Sequence, residues 1–316
     1  MNKLPSQGVI KLTTPPKLPL INAASGYQAR DAEIIDYNLW KLWTPRSGFT
    51  LRGPRPAKLN PGDYCVSLGA AFTFGRFVPH PYPELLGKAL NLDCLNLGFS
   101  GIGPSFFNHP PHRGLISLIN RSKFVTILVL SGRSQANSRF KTCLHSQERY
   151  VLEDGQSVPA DYAYQQLLET ESTETVRALV AETRERYLQE FSKLLNKITV
   201  PKVLLWISKR PPDYQESYDS LLELFSSFPH LVNQDMINSL KVQCEAYIEY
   251  CEIPGLPQRL TNRFNGQPTA IKRSRDYPEG KIQLTDSWLT HNHYYPSPEM
   301  HEAVAQKLAR VCQQFV

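Results

Sequence analysis

The chain has 316 residues, 41% of them hydrophobic, enough to bury a sizeable core as one large domain or two small ones. Its net charge of +6 is mild for this length, and the basic residues are dispersed without an aromatic-basic module, which argues against nucleic acid as a partner. No stretch approaches the ~20 apolar residues of a membrane span and no apolar leader follows Met1, so the expectation is a cytoplasmic protein without a membrane span.

Residues 1–26 are polar and proline-bearing and read as an extended arm. Asp31 to Trp43 places Ile34, Ile35, Tyr37, Leu39, Trp40 and Trp43 at spacings that predict one short helix packed on the body. Arg52-Gly53-Pro54-Arg55-Pro56 is a connector, and residues 1–60 are read as arm plus helix, residues 61–316 as the main domain. An alternation follows. Cys65–Leu68, Cys94–Leu97 and Phe124–Leu130 are strands one to three, with helices at Pro83–Leu90 and around Leu115–Ile119 between them. Pro159–Leu195 is helical by pattern, inside a helical insertion of about 145–197, and its charged Glu171–Lys193 part is the solvated face of a core helix. Val203–Ile207 is strand four, Tyr218–Phe228 a helix, and Ile237–Ile248 a helix followed by a short strand. A basic, irregular loop spans about 254–280, and Pro298–Phe315 closes the chain as a helix. Strands alternating with helices predict an α/β fold with a doubly wound, mostly parallel sheet in three layers, flavodoxin-like.

The six cysteines are scattered with no C-x-x-C pair, which reads as reduced core thiols, no disulfide framework and no metal. In such a sheet ligands sit beyond the carboxyl ends of the strands. Strand one ends in Gly69-Ala70-Ala71-Phe72-Thr73-Phe74-Gly75-Arg76, and strand two in Asn96-Leu97-Gly98-Phe99-Ser100-Gly101-Ile102-Gly103. These glycines either shape tight loops or open the backbone to a ligand. Strand three ends in Ser131-Gly132-Arg133-Ser134-Gln135-Ala136-Asn137-Ser138-Arg139, where Arg133 and Arg139 could grip an anion bidentately or serve as an ion-pair hub. The last loop carries His291, Asn292, His293, Tyr294 and Tyr295. A histidine there suits general-base work, and the alternative is a hydrogen-bonded surface residue.

The first of these segments resembles the Gly-Asp-Ser-x-Thr-x-Gly motif of the SGNH (GDSL-type) esterases and acyltransferases, with Gly69, Thr73 and Gly75 matching, Ala70 in the Asp place and Ala71 in the nucleophile place. Asn96–Gly101 looks like that family's second motif, which implies Gly101 as an oxyanion donor, with Asn137 as a second donor if the third loop is rebuilt. Aligned on Pro296 and His301, the last loop puts Asn292 where the family has Asp and Tyr295 where it has the catalytic His. Further cues (Tyr27–Asp31, Arg52–Pro54, Thr73–Phe77, Asn96–Gly98, Gly103–Phe107 and Arg133-Ser134) are similar to a bacterial family of SGNH/GDSL-hydrolase-like proteins without the usual catalytic Ser.

That last resemblance implies a fold and a site location; the leading expectation for the chemistry is acyl or related group transfer on a carbohydrate or polyol through non-standard residues. His293, or failing that His291, would be base, Tyr295 a donor, and Gly101 and Asn137 oxyanion donors. Gly69, Ala71, Thr73, Gly75, Arg76, Ser100, Gly103, Arg133, Ser134 and Arg139 would line the substrate. An activated donor such as acetyl-CoA or a sulfonucleotide fits that route, although no phosphate-cradling loop is present. The competing expectations are a catalytically silent module holding a glycan or an anion, and an esterase with a relocated nucleophile.

Overall fold

Tight turns and parallel pairing, rather than the expected short helix, open the described part of the chain. The computed structural model describes residues 20–22, 31–143, 148–276 and 282–316. Most of the predicted arm, the Tyr27–Arg30 cue and the end of the basic loop at 277–280 lie outside the described residues. Leu20–Asn22 (β1) pairs parallel with Gly48–Leu51 (β3), which pairs antiparallel with Trp40–Trp43 (β2). The predicted helix over 31–43 is therefore corrected to a turn plus a strand. The amides of Ile34 and Ile35 both donate to the Asp31 carbonyl, and Asn38 then takes a left-handed φ of 46° that no helix continues through. Ile34, Ile35 and Tyr37 still bury themselves, against Phe74 and Phe77, so the apolar spacing reported burial and not helicity.

The central sheet is the predicted one. Tyr64–Gly69 (β4), then helices Ala71–Phe74 (α1) and Tyr82–Leu90 (α2), then Asp93–Gly98 (β5) make the first crossover. Helices Pro104–Asn108 (α3) and Arg113–Ile119 (α4) lead to Val125–Leu128 (β6). A long excursion follows: strands Lys141–Thr142 (β7), Arg149–Val151 (β8) and Ser157–Pro159 (β9) form a small antiparallel sheet, then come helices Ala160–Thr170 (α5) and Thr173–Lys197 (α6). The predicted single helical stretch is split at Ser172, whose side chain caps α6 by accepting from the Thr175 amide. Lys202–Ile207 (β10), Leu221–Phe225 (α7), Gln234–Lys241 (α8) and Ala246–Tyr250 (β11) complete the sheet, whose order is β11-β10-β6-β4-β5, all parallel. The inner strands β4, β6 and β10 are almost wholly buried because both faces are covered. Two of the predicted helices shrink: Tyr218–Phe228 to α7 alone, and Ile237–Ile248 to the end of α8, with β11 taking over at Ala246.

The first half of α6 (Val176, Leu179, Val180) packs with Tyr150, Tyr164, Leu224 and Phe225, whereas its second half (Tyr187, Phe191, Leu194, Leu195) packs in the main core. One 25-residue helix thus ties the excursion to the sheet. The predicted irregular loop also contains regular structure. Gln258–Arg259 (β12) pairs with His291–Asn292 (β15), and Ile271–Asp276 (β13) pairs antiparallel with Ile282–Leu289 (β14).

Pro298–Cys312 (α9) closes the chain against α2. At that contact His301 is fully buried: its Nδ1 accepts the Tyr82 amide at 2.9 Å, its ring stacks on Tyr82, and its Nε2 has no partner among the described residues. Burial, with Arg52 nearby, pushes its pKa down to about 3. The folded state therefore binds fewer protons than the unfolded chain between the ordinary histidine range and pH 3. Stability is complete above about pH 6.5 and should fall as the pH drops, by up to ~1.4 kcal/mol per pH unit from this group. Urea midpoints at pH 7 and pH 5 would show this fall, and His301→Gln should flatten it; an unchanged slope in that variant would remove His301 as the cause. No helix among the described residues is long and apolar enough to cross a membrane.

Candidate functional site

The chain runs outward from β4 to β5 and then returns to place β6 on the other side of β4, so the strand order reverses between β4 and β6. In open α/β sheets the loops leaving such a point splay apart and leave a crevice. A pocket of about 470 Å3 of non-atom space, the open solvent at its mouth included, lies there. Its walls come from the ends of β4 (Ala70, Ala71, Phe72), β5 (Ser100, Gly101, Ile102) and β6 (Ser131, Arg133, Ser134), from Glu148, from Phe228 and His230 between α7 and α8, and from Tyr294 and Tyr295.

Of the residues expected in the site, Ala71, Ser100, Gly101, Arg133, Ser134 and Tyr295 meet at this pocket. Gly101 has φ +63°, and a Cβ there would stand 2.7 Å from the Glu148 carboxyl carbon, so glycine serves both the turn and the close approach. Arg133 is an ion-pair hub. Its guanidinium lies 2.8 Å from Asp161 and 3.6 Å from Glu148; burial is the largest single effect on its pKa and lowers it, but these carboxylates, with Tyr294 and Tyr295 nearby, together outweigh burial and raise it. Tyr295 is held by Arg76, whose guanidinium donates to the phenol oxygen at 3.1 Å and to both oxygens of buried Asp31 at 2.9 and 3.1 Å. Arg76 thus braces a wall of the pocket from behind.

Other expected residues do different work. Thr73 is fully buried with its hydroxyl 2.9 Å from that of Tyr82, Gly69 ends β4, Gly75 ends α1 and Gly103 precedes α3. Asn137 donates its amide to Thr183 and accepts from the amides of Arg139 and Phe140, which makes it a turn former facing α6. Arg139 pairs with Glu171 on the surface. In the last loop Asn292 is buried and accepts from the amides of Tyr294 and Tyr295 while donating to Gln258 and to the Tyr295 carbonyl. That turn aims tyrosines at the pocket and leaves His293 exposed, its carbonyl taking a bond from Lys209, and His291 beside the Thr290 hydroxyl at 3.0 Å. Neither histidine lines the pocket.

Sequence reasoning passed over Ser131, Glu148, Phe228, His230 and Tyr294. The Ser131 Oγ lies 3.1 Å from Nδ1 of His230, and the Gly132 amide donates to the His230 carbonyl at 3.0 Å. His230 is nearly fully buried, and that burial, with Arg133 and Arg210 nearby, holds its pKa well below the ordinary histidine value. It is neutral at physiological pH. Phe72 sits at the centre of an aromatic wall, with ring centroids 4.4 Å from Phe228, 5.8 Å from Tyr294 and 6.2 Å from Tyr295. Among the described residues no group of three or more His, Cys, Asp or Glu is gathered as a metal site would require.

The family model described as "Domain of unknown function (DUF6473)" matches residues 26–153 and 165–316. Among curated proteins none matches significantly. Similar solved structures include a carbohydrate esterase family 2 (CE2) enzyme with a carbohydrate binding domain from Corynascus thermopiles (Myceliophthora fergusii), 12% identical, TM-score 0.39, spanning 85% of this chain and 70% of that one. A G-D-S-L family protein from Desulfitobacterium hafniense DCB-2 is 11% identical, with TM-score 0.34 and coverage of 79% and 99%. A protein from Lactobacillus plantarum is 10% identical, with TM-score 0.35 and coverage of 80% and 97%. Likenesses at this level carry no argument about chemistry, which rests on the pocket.

Proposed function

The chain belongs to the DUF6473 family, and from that premise we propose that its strand-end pocket performs acyl-group transfer or hydrolysis on a carbohydrate- or polyol-sized ligand. The observation that carries this reading is the mixed lining of the pocket at the reversal of strand order: the clustered aromatic rings of Phe72, Phe228 and Tyr294 together with three serines, Ser100, Ser131 and Ser134. Aromatic faces cover the C–H faces of a sugar while hydroxyls exchange hydrogen bonds with its own, which suits a neutral polyol. Charge supports the same choice. Arg133 is shared by Glu148 and Asp161, so a phosphate- or sulfonate-bearing donor would have to compete with two carboxylates already in place. We therefore favour a simple acyl ester over acetyl-CoA or a sulfonucleotide as donor.

A thermal-shift screen against acetylated sugars, acetyl-CoA, a sulfonucleotide and short acidic glycans, run beside an ester-hydrolysis assay, tests the reading. Saturation at 100 Kd stabilises by about 2.7 kcal/mol, a clear rise in Tm. Acetylated sugars should give the largest shift together with turnover. No shift and no turnover with any of them would overturn the reading. A shift with glycans but no turnover would favour the silent binding module, which the hydroxyl-free Ala71 at the start of α1 also fits.

A further inference from the structure

We infer that Ser131 and His230 act as a nucleophile–base couple for the acyl step, an inference that rests on the pocket reading above. Three serines line the pocket, and among the described residues Ser131 is the one whose Oγ is hydrogen-bonded to an imidazole, at 3.1 Å. That is the reach a base needs to take a hydroxyl proton as the oxygen attacks. Both side chains open onto the same space as Gly101 and Tyr295. The couple is also well located. Ser131 follows β6 at the reversal of strand order, and the backbone bond from Gly132 to the His230 carbonyl fixes the two loops relative to each other. The His230 ring is in contact with Phe225 and Phe228, with centroids 5.9 and 6.1 Å away, so it has little freedom to swing from Ser131.

The chemistry balances without a co-reactant beyond ester and acceptor. The Oγ–carbon bond forms as the serine proton moves to Nδ1 of His230. The ester C–O bond then breaks, and the leaving alkoxide takes that proton, giving an acyl-serine and an alcohol. Water or an acceptor hydroxyl attacks the acyl carbon, passes its proton to Nδ1, and the serine oxygen leaves and recovers a proton. The guanidinium groups of Arg133 and Arg210 oppose the transient imidazolium, and Glu148 and Asp161 beside Arg133 offset part of that field.

The alternative is a bond that only pins two loops together, and the two readings separate experimentally. The full-length chain is treated with an alkyl fluorophosphonate, mapped by mass spectrometry, and assayed with p-nitrophenyl acetate and with acetylated sugars. The couple predicts one phosphonyl group on the peptide carrying Ser131. Ser131→Ala should lose that label and ~10²–10⁴-fold of turnover, with the Tm kept. His230→Asn should slow labelling by a similar factor. Ser131→Cys should become acylated as a stable thioester, which shows that the position itself accepts the acyl group. Ser138→Ala, on the exposed side of the same loop, serves as the unchanged control. Labelling of Ser100 or Ser134 instead, or full turnover by Ser131→Ala, overturns the couple and leaves the pocket reading standing. Ligand binding without label or turnover in the wild type overturns the couple in favour of the silent module. Absence of both binding and turnover in the wild type removes the pocket reading and the couple together.

Discussion

Replacing Arg52 with alanine should destabilise the fold by ~3–5 kcal/mol, measured as a fall in the urea midpoint at pH 7. Arg52 is 2% exposed, and among the described residues no carboxylate is hydrogen-bonded to it. Its guanidinium instead donates to the carbonyls of Gly75, Val78 and Pro79 at 3.1, 2.8 and 2.9 Å, and it stacks over Tyr37 at 4.6 Å and Phe74 at 5.6 Å. Two effects oppose each other. Burial lowers its pKa to about 10, a cost to the charged form of ~3 kcal/mol at 1.36 kcal/mol per unit. Three charge-assisted bonds, each contributing ~1.5–3 kcal/mol, outweigh that cost. Their loss leaves the Val78 and Pro79 carbonyls in the loop between α1 and α2 without a donor among the described residues, the Gly75 carbonyl keeping only the Val78 amide, and leaves a void under two aromatic rings. Arg52→Lys should recover little of the stability, because one ammonium cannot span three carbonyls in a fork. A variant as stable as the wild type would show that water satisfies those carbonyls equally well.

Gly98→Ala should be nearly as damaging, and damaging to ligand binding as well. A Cβ on Gly98 would fall 2.2 Å from the Phe74 amide nitrogen and 2.7 Å from the Phe74 Cα and the Thr73 carbonyl carbon. Those are backbone atoms of α1 and cannot rotate away, so the helix would have to lift from β5. Forced overpacking of this kind costs ~1–3 kcal/mol and sometimes more. The same movement would carry Ala71 and Phe72 out of the pocket wall. Gly101→Ala is the useful contrast. Its neighbour is the Glu148 carboxylate, the end of a flexible side chain, so the cost there is mainly the left-handed backbone, ~1–2 kcal/mol. Denaturation curves for both variants, with ligand-induced shifts alongside, would rank them; equal losses would mean that α1 is free to move.

The sheet was readable because its strands are short, mostly apolar runs, several of them closed by glycine or a polar turn, the pattern that parallel burial favours. The segment from Asp31 to Trp43 misled because a buried turn followed by a half-buried strand reproduces helical spacing over a dozen residues. The last loop misled in another way. Histidines stood out as chemistry, yet the Asn292 side chain folds the loop, and that fold brings Tyr294 and Tyr295 to the pocket. Ser131 and His230 escaped notice because they lie 99 residues apart, one just past β6 and the other between α7 and α8. Each is unremarkable in its own window, and only the order β10-β6-β4 brings them to one place.

The most direct test of the strand-end pocket as the working site is a pocket-filling change read against ligand. Ala71 is half-buried at the start of α1 and lines the pocket, so Ala71→Met occupies the space while its side chain extends away from the core. The ligand giving the largest thermal shift with wild-type protein should give none with Ala71→Met, and ester turnover should fall with it, while the Tm without ligand stays close to that of the wild type. An equal shift and equal turnover in the two proteins would place the function elsewhere on the molecule.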